Sequence, residues 1–221
     1  MAITKFENMM IPKLHYISQG SSPKEHLENI QNACTSGAEL VQLGLKSISE
    51  KNFLKLAQEA REITSHFQTR LIISHHYKIA KEVKADGAYL EKTDSCPTVA
   101  RKQLYPWQMI GAAANTLQDC EMLIAKDVDY ISLAPFRPRT NTDISNTSLG
   151  LNGYTVIVEA MHTETPILGA GGITIEDVKD ILATGISGIA VSTEITRNFN
   201  SIRTFNQLLN ASSTEEQPFK I

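Results

Sequence analysis

Eight short apolar runs, none containing Asp, Glu, Lys or Arg, recur along the chain and are separated by longer segments with helical spacing. The runs cover residues 14–17, 40–43, 71–73, 88–90, 109–112, 130–133, 167–169 and 189–191. A strand with one face in water alternates apolar and polar residues. A strand without that alternation is buried on both faces, as in a parallel sheet covered by helices. Eight strand-then-helix units in a chain of 221 residues predict an α/β protein, a (β/α)8 TIM barrel forming one domain over residues 1–221. A doubly wound open sheet is the alternative. Residues 1–11 read as an N-terminal extension and 211–221 as a disordered polar tail.

The intervening segments carry helix signals. Ser22-Pro23 offers an N-cap and a first-turn proline ahead of an apolar stripe of Leu27, Ile30 and Cys34, and Gly37 is placed to stop that helix. Phe53, Leu56, Ala60, Ile63 and Phe67 recur at spacings of three and four. Thr116 with Asp119 and Thr174 with Asp177 have the spacing of capping boxes, and Gly185 is placed to end the helix after the second. Residues 154–161 and 205–209 are weaker helical segments. Residues 137–148 (RPRTNTDISNTS) are polar and aperiodic, which predicts a long loop after the sixth strand, of the kind that covers active sites.

Composition removes several function classes. Lys and Arg number 21 against 24 Asp and Glu, for a net charge of −3, so no global basic field draws nucleic acid or an anionic membrane surface. No apolar run approaches the ~20 residues that span a bilayer. Three scattered cysteines, Cys34, Cys96 and Cys120, form neither a CxxC motif nor a disulfide framework, which points to a reducing, cytoplasmic setting.

In a barrel, ligands bind at the C-terminal ends of the strands, and the loops after strands seven and eight commonly hold phosphate. Gly169-Ala170-Gly171-Gly172 leaves the seventh run and enters a capped helix, and Ser192 and Thr193 follow the eighth. Glycines let backbone N–H groups approach an anion, so Gly171, Gly172, Ser192 and Thr193 are the candidate phosphate site. Gln42 alternates with buried residues and faces the mouth, with Lys46 beyond it as a candidate anion partner. Ser74 and His75 follow the third run, where the neighbouring His75 and His76 diverge in direction and favour a polar loop over a metal site. Asp94 follows the fourth run, either as a Mg2+ ligand assisted by Glu91 or as the cap of the next helix. Asn115 faces the mouth after the fifth. Arg137 and Arg139, after the sixth, are candidate phosphate clamps.

These segments, in this order, resemble the thiamine phosphate synthase family, which also contains thiazole tautomerases. The resemblance runs from about Lys13 to Leu209 and rests on residues 14–20, 37–43, 85–90, 114–116, 129–136, 150–154, 169–173 and 188–192. It implies a phosphate-binding TIM barrel of a kind that can form a homodimer. Its synthases join an aminopyrimidine diphosphate to a thiazole phosphate and release pyrophosphate with Mg2+. It also implies that Gly171, Gly172, Ser192 and Thr193 hold the thiazole phosphate, that Gln42, Lys46 and Asn115 serve catalysis, and that Asp94 is one of two aspartates on the metal.

The chain departs from that pattern at the diphosphate end. Gly44 stands where the family has arginine, and Ser74-His75 where it has Asn-Asp. Arg139-Thr140-Asn141-Thr142 replaces a loop ending in lysine, with Arg137 or Arg139 left to supply charge. The tautomerase histidine falls at Asn115. Each lost charge is worth ~3 kcal/mol of transition-state stabilisation, which predicts weakened catalysis. The alternatives are a paralogue that binds thiazole phosphate or thiamine phosphate without turnover, and an isomerase using His75 or His76.

Overall fold

The computed structural model describes residues 10–45, 48–138 and 148–211. Strands β1 (Leu14–Ile17), β2 (Leu40–Leu43), β3 (Arg70–Ser74), β4 (Gly87–Leu90), β5 (Met109–Ala114), β6 (Tyr130–Leu133), β7 (Ile167–Ala170) and β8 (Gly188–Val191) pair in sequence order into a closed barrel. Every pairing is parallel, and β8 returns to β1 through Leu14↔Ile189 and Tyr16↔Val191. The expected barrel is therefore the observed architecture, and the open sheet is excluded.

Alternation along each strand sorts side chains into two layers. Val41, Leu43, Leu71, Ile73, Ala88, Leu90, Ile131 and Leu133 face outward into the layer beneath the helices. Leu40, Ile72, Tyr89, Met109, Tyr130 and Leu168 fill the barrel interior, closed from below by Ile11. Ile11 is thus part of the barrel, and the Met10 carbonyl accepts a hydrogen bond from Arg70. The interior needs glycine at position 111, where a Cβ would lie 2.0 Å from Cζ of Tyr130. Beside Tyr130 sits His15, its ring edge-on at 4.9 Å and fully buried.

The helices are α1 (Pro23–Thr35), α2 (Glu50–His66), α3 (Tyr77–Glu82), α4 (Pro97–Gln103), α5 (Leu117–Ile124), α6 (Gly150–Ala160), α7 (Val178–Ala183), α8 (Thr193–Arg197) and α9 (Ser201–Ala211). Ser22 caps α1 by accepting from the N–H of Glu25, and Gly37 ends it at φ 89°. Thr116 and Asp119 form the expected box, and Thr174 with Asp177 form another that opens α7 through a 3-10 turn at Ile175–Asp177. Phe67 leaves the stripe expected of it: it is the C-cap of α2 and is exposed, because the chain has already turned toward β3. The short α3 and α4 had no sequence counterpart, since six or seven residues cannot display a repeating apolar stripe. α9 extends to Ala211, and the rest of the expected tail, residues 212–221, lies outside the described residues. Among the described residues, no helix is long and apolar enough to cross a membrane.

Candidate functional site

All candidate residues that the structure describes lie at the C-terminal ends of the strands, but in two groups on opposite sides of the mouth. The first group is built on β6, β7 and β8. Past their last ladder residues, the β6 and β7 chains continue side by side. The N–H of Phe136 donates to the Ala170 carbonyl (2.8 Å) and that of Arg137 to the Gly171 carbonyl (2.9 Å). Nη1 of Arg137 donates to the Gly172 carbonyl (2.9 Å). Three consecutive carbonyls therefore point toward the β6 segment. In a planar trans peptide the following N–H points the other way. The N–H groups of Gly171, Gly172 and Ile173 thus face away from β6, on the side where β8 lies. Such a run of N–H groups is an anion-binding concavity.

Glycine is required to make that run. Gly171 and Gly172 adopt φ of 92° and 77°, and a Cβ on either would sit 3.0 Å from Cα of Pro135 or Cβ of Arg137. On the β8 side, Ser192 and Thr193 begin α8, and the Thr193 hydroxyl donates to Oε1 of Gln19 at 3.2 Å. Gln19 follows β1 and was missed in the sequence, although its position just after the first strand was a usable signal.

Arg137 spends its guanidinium inside this group. It forms a two-pronged pair with both oxygens of Asp177 at 2.5 Å and lies over the ring of Phe136. Asp177 also accepts from the N–H and hydroxyl of Thr174. Partial burial works against its charge, but Arg137 and Thr174 together hold its carboxyl below the usual range. The structure thus gives Arg137 a role holding the glycine turn.

The second group sits on β2, β3 and β4. Gln42 is buried at the top of the interior, and its Nε2 donates to Oγ of Ser74 at 3.0 Å. Gly44 packs against the same serine, whose Oγ would lie 3.0 Å from a Cβ there. His75 has φ 66°, and its N–H donates to the Tyr89 carbonyl. Its Nδ1 is 2.9 Å from Oδ2 of Asp94, which also accepts from the N–H of Glu91 at 2.7 Å. Asp94 does not cap α4, whose N-cap is Cys96. His76 turns outward against Phe53. Asn115 lies between the two groups, with its Nδ2 on the Ala134 carbonyl at 2.6 Å. Nearby, Lys92 pairs with Asp119 at 2.6 Å. Lys46, Arg139 and Thr140 lie outside the described residues.

The residues do not fit the two-aspartate magnesium site that the resemblance implies. A histidine stands where one of the two carboxylates is expected, and its Nδ1 is hydrogen-bonded to Oδ2 of the other. Among the described residues no three His, Cys, Asp or Glu side chains gather closely enough to hold a metal ion.

A closed barrel of eight parallel strands, each followed by a helix, defines a (β/α)8 TIM barrel. The sequence profile described as Thiamine monophosphate synthase matches residues 14–195. The thiamine-phosphate synthase of Flavobacterium psychrophilum is 36% identical over 202 residues, covering 90% of this chain and 98% of that protein. The thiamine-phosphate synthase of Bacteroides fragilis is 30% identical over 200 residues, 89% of this chain and 98% of the relative. The solved thiamine phosphate pyrophosphorylase of Pyrococcus furiosus superposes with a TM-score of 0.76 at 26% identity, over 90% of this chain and 94% of that one. The chain belongs to the thiamine monophosphate synthase family.

Proposed function

We propose that this chain is a transferase of thiamine biosynthesis that joins an aminopyrimidine diphosphate to a thiazole phosphate and releases pyrophosphate. The observation that carries the reading is the run of N–H groups at Gly171, Gly172 and Ile173 beside the hydroxyls of Ser192 and Thr193. Family membership supplies the substrate class. In this reading the nest and hydroxyls hold the thiazole phosphate, and Gln42 and Asn115 line the space between the two substrates. The carbon–oxygen bond to the diphosphate breaks, pyrophosphate leaves, and the thiazole nitrogen forms the new bond to carbon. Such a substitution needs positioning and neutralisation of the leaving group more than proton transfer. Lys46, Arg139 and Thr140 are assigned to the diphosphate. With three unbridged cysteines and substrates of intermediary metabolism, we place the protein in the cytoplasm.

One observation favours a second reading, a paralogue that binds the same thiazole or thiamine phosphates without turnover. The glycines and hydroxyls that the reading assigns to phosphate are all present, whereas Gly44, Ser74 and His75 leave the β2–β4 corner without the charges of the family pattern. Formation of thiamine phosphate from the two substrates separates the readings: product supports the transferase, and saturable thiazole phosphate binding without product supports the binding protein.

A further inference from the structure

His75 and Asp94 lie in the loops that follow the adjacent strands β3 and β4, whose ends are fixed against each other. Ser74 is in register with Tyr89, and the N–H of His75 donates to the Tyr89 carbonyl at 2.9 Å. The two side chains are held together in a mostly buried position, 20% and 16% exposed. A carboxylate only accepts hydrogen bonds, so the proton of their contact belongs to Nδ1 of the imidazole. The same Oδ2 carries a second hydrogen bond from Glu91, so both donors converge on one carboxylate oxygen.

This arrangement conflicts with a magnesium site. Magnesium takes oxygen ligands in near-ideal octahedral geometry and sheds water reluctantly, so it needs carboxylate oxygens free to face it. Nitrogen ligands suit other metals. Here the expected second aspartate is an imidazole, and that imidazole is hydrogen-bonded to the first.

We propose that Asp94 in this chain is a positioning residue for His75 and holds no magnesium ion, so that a ligand on the β3–β4 side of the mouth meets an imidazole in place of a metal. The proposal deepens the transferase reading, since it concerns the side of the site assigned to the diphosphate. Its test needs no turnover and therefore stands apart from the product assay.

The test is nuclear magnetic resonance on the 15N-labelled full chain. A long-range proton–nitrogen spectrum reads the ring nitrogens of His75, assigned with His75→Gln. Mn2+ serves as the paramagnetic substitute for Mg2+. The expected result is a protonated Nδ1 that an excess of MgCl2 leaves unchanged. Mn2+ should broaden the amides of Glu91 and Asp94 no more than exposed amides elsewhere. In Asp94→Asn the His75 ring signals should move while the response to Mn2+ stays the same. Saturable Mn2+ broadening centred on Asp94 in the unmodified protein, abolished in Asp94→Asn, would overturn the proposal. So would His75 ring signals that ignore Asp94→Asn. The metal arm is read on the unmodified chain, so it holds even if a variant fails to fold.

Discussion

Arg137 and Asp177 meet between the neighbouring β6 and β7 loops, Nη1 and Nη2 of the guanidinium each on one carboxylate oxygen at 2.5 Å, and so join the β6 segment to the start of α7. Arg137 also holds the carbonyls of Gly171 and Gly172, and Asp177 holds Thr174. One ion pair thereby ties both ends of the glycine turn that the proposal assigns to phosphate.

Breaking that pair should loosen the nest more than the fold. The Arg137 side chain is 48% exposed, so the loss of global stability in Arg137→Ala should stay below about 1 kcal/mol. Affinity for thiazole phosphate should fall about tenfold, equivalent to about 1.4 kcal/mol. Arg137→Lys should not restore it, because a lysine cannot make the two-pronged contact. Calorimetric titration and thermal melts check both effects, and unchanged affinity in a folded Arg137→Ala would contradict the assignment.

Two glycines separate backbone strain from function. Gly37 and Gly172 have φ of 89° and 77°, but a Cβ at Gly37 meets nothing within 4 Å, while one at Gly172 meets Arg137 at 3.0 Å. Gly37→Ala and Gly172→Ala should each cost about 1–2 kcal/mol of stability for the left-handed conformation. Phosphate affinity should fall only in Gly172→Ala. Equal affinities in the two variants would argue against the nest.

The interior around Tyr130 gives a packing prediction. In Gly111→Ala a methyl would fall 2.0 Å from the tyrosine ring, an overlap that cannot relax within a closed barrel. A loss of about 3 kcal/mol or more is expected by denaturant titration. Tyr130→Phe removes a buried hydroxyl that has no hydrogen-bond partner, so it should be neutral or stabilising. A clear destabilisation by Tyr130→Phe would show that the hydroxyl is satisfied.

His15 predicts an acid limit. Burial, opposed in part by the Pro12 backbone and reinforced by the charge of Arg70, lowers its pKa to about 3 from 6.5. Below pH 6.5 the unfolded chain takes up a proton that the folded chain refuses until about pH 3. Stability from this group is therefore full above pH 6.5 and is lost as the pH falls toward 3, at up to about 1.4 kcal/mol per pH unit. Melting temperatures across that range should decline less steeply in His15→Leu. Parallel declines in the two proteins would contradict the assignment.

The sequence carried most of the fold because the barrel repeats one simple signal. Charge-free runs marked all eight strands, and Ser22, Thr116, Gly37 and Gly185 marked helix ends by their own backbone chemistry. Phe67 failed because a periodicity count does not register where the chain leaves the helix axis. For the site, the sequence placed Gly171, Gly172, Ser192 and Thr193 just after the last two strands, where the structure has them, since glycines and hydroxyls there are a local pattern; their phosphate-binding role is part of the proposal. It did not reveal that Asp177 captures Arg137, that Gln19 meets Thr193, or that His75 sits on Asp94. Each of these contacts joins different βα units, and spacing along the chain carries no information about it.

The most direct test of the central claim is product formation. Purified full-length protein is incubated with aminopyrimidine diphosphate and thiazole phosphate, and thiamine phosphate is quantified against an enzyme-free control. The account predicts product above the control, and its loss when Gly172→Asp places a carboxylate in the nest. No product from folded protein over many hours would contradict the transferase, and product undiminished in Gly172→Asp would contradict the site.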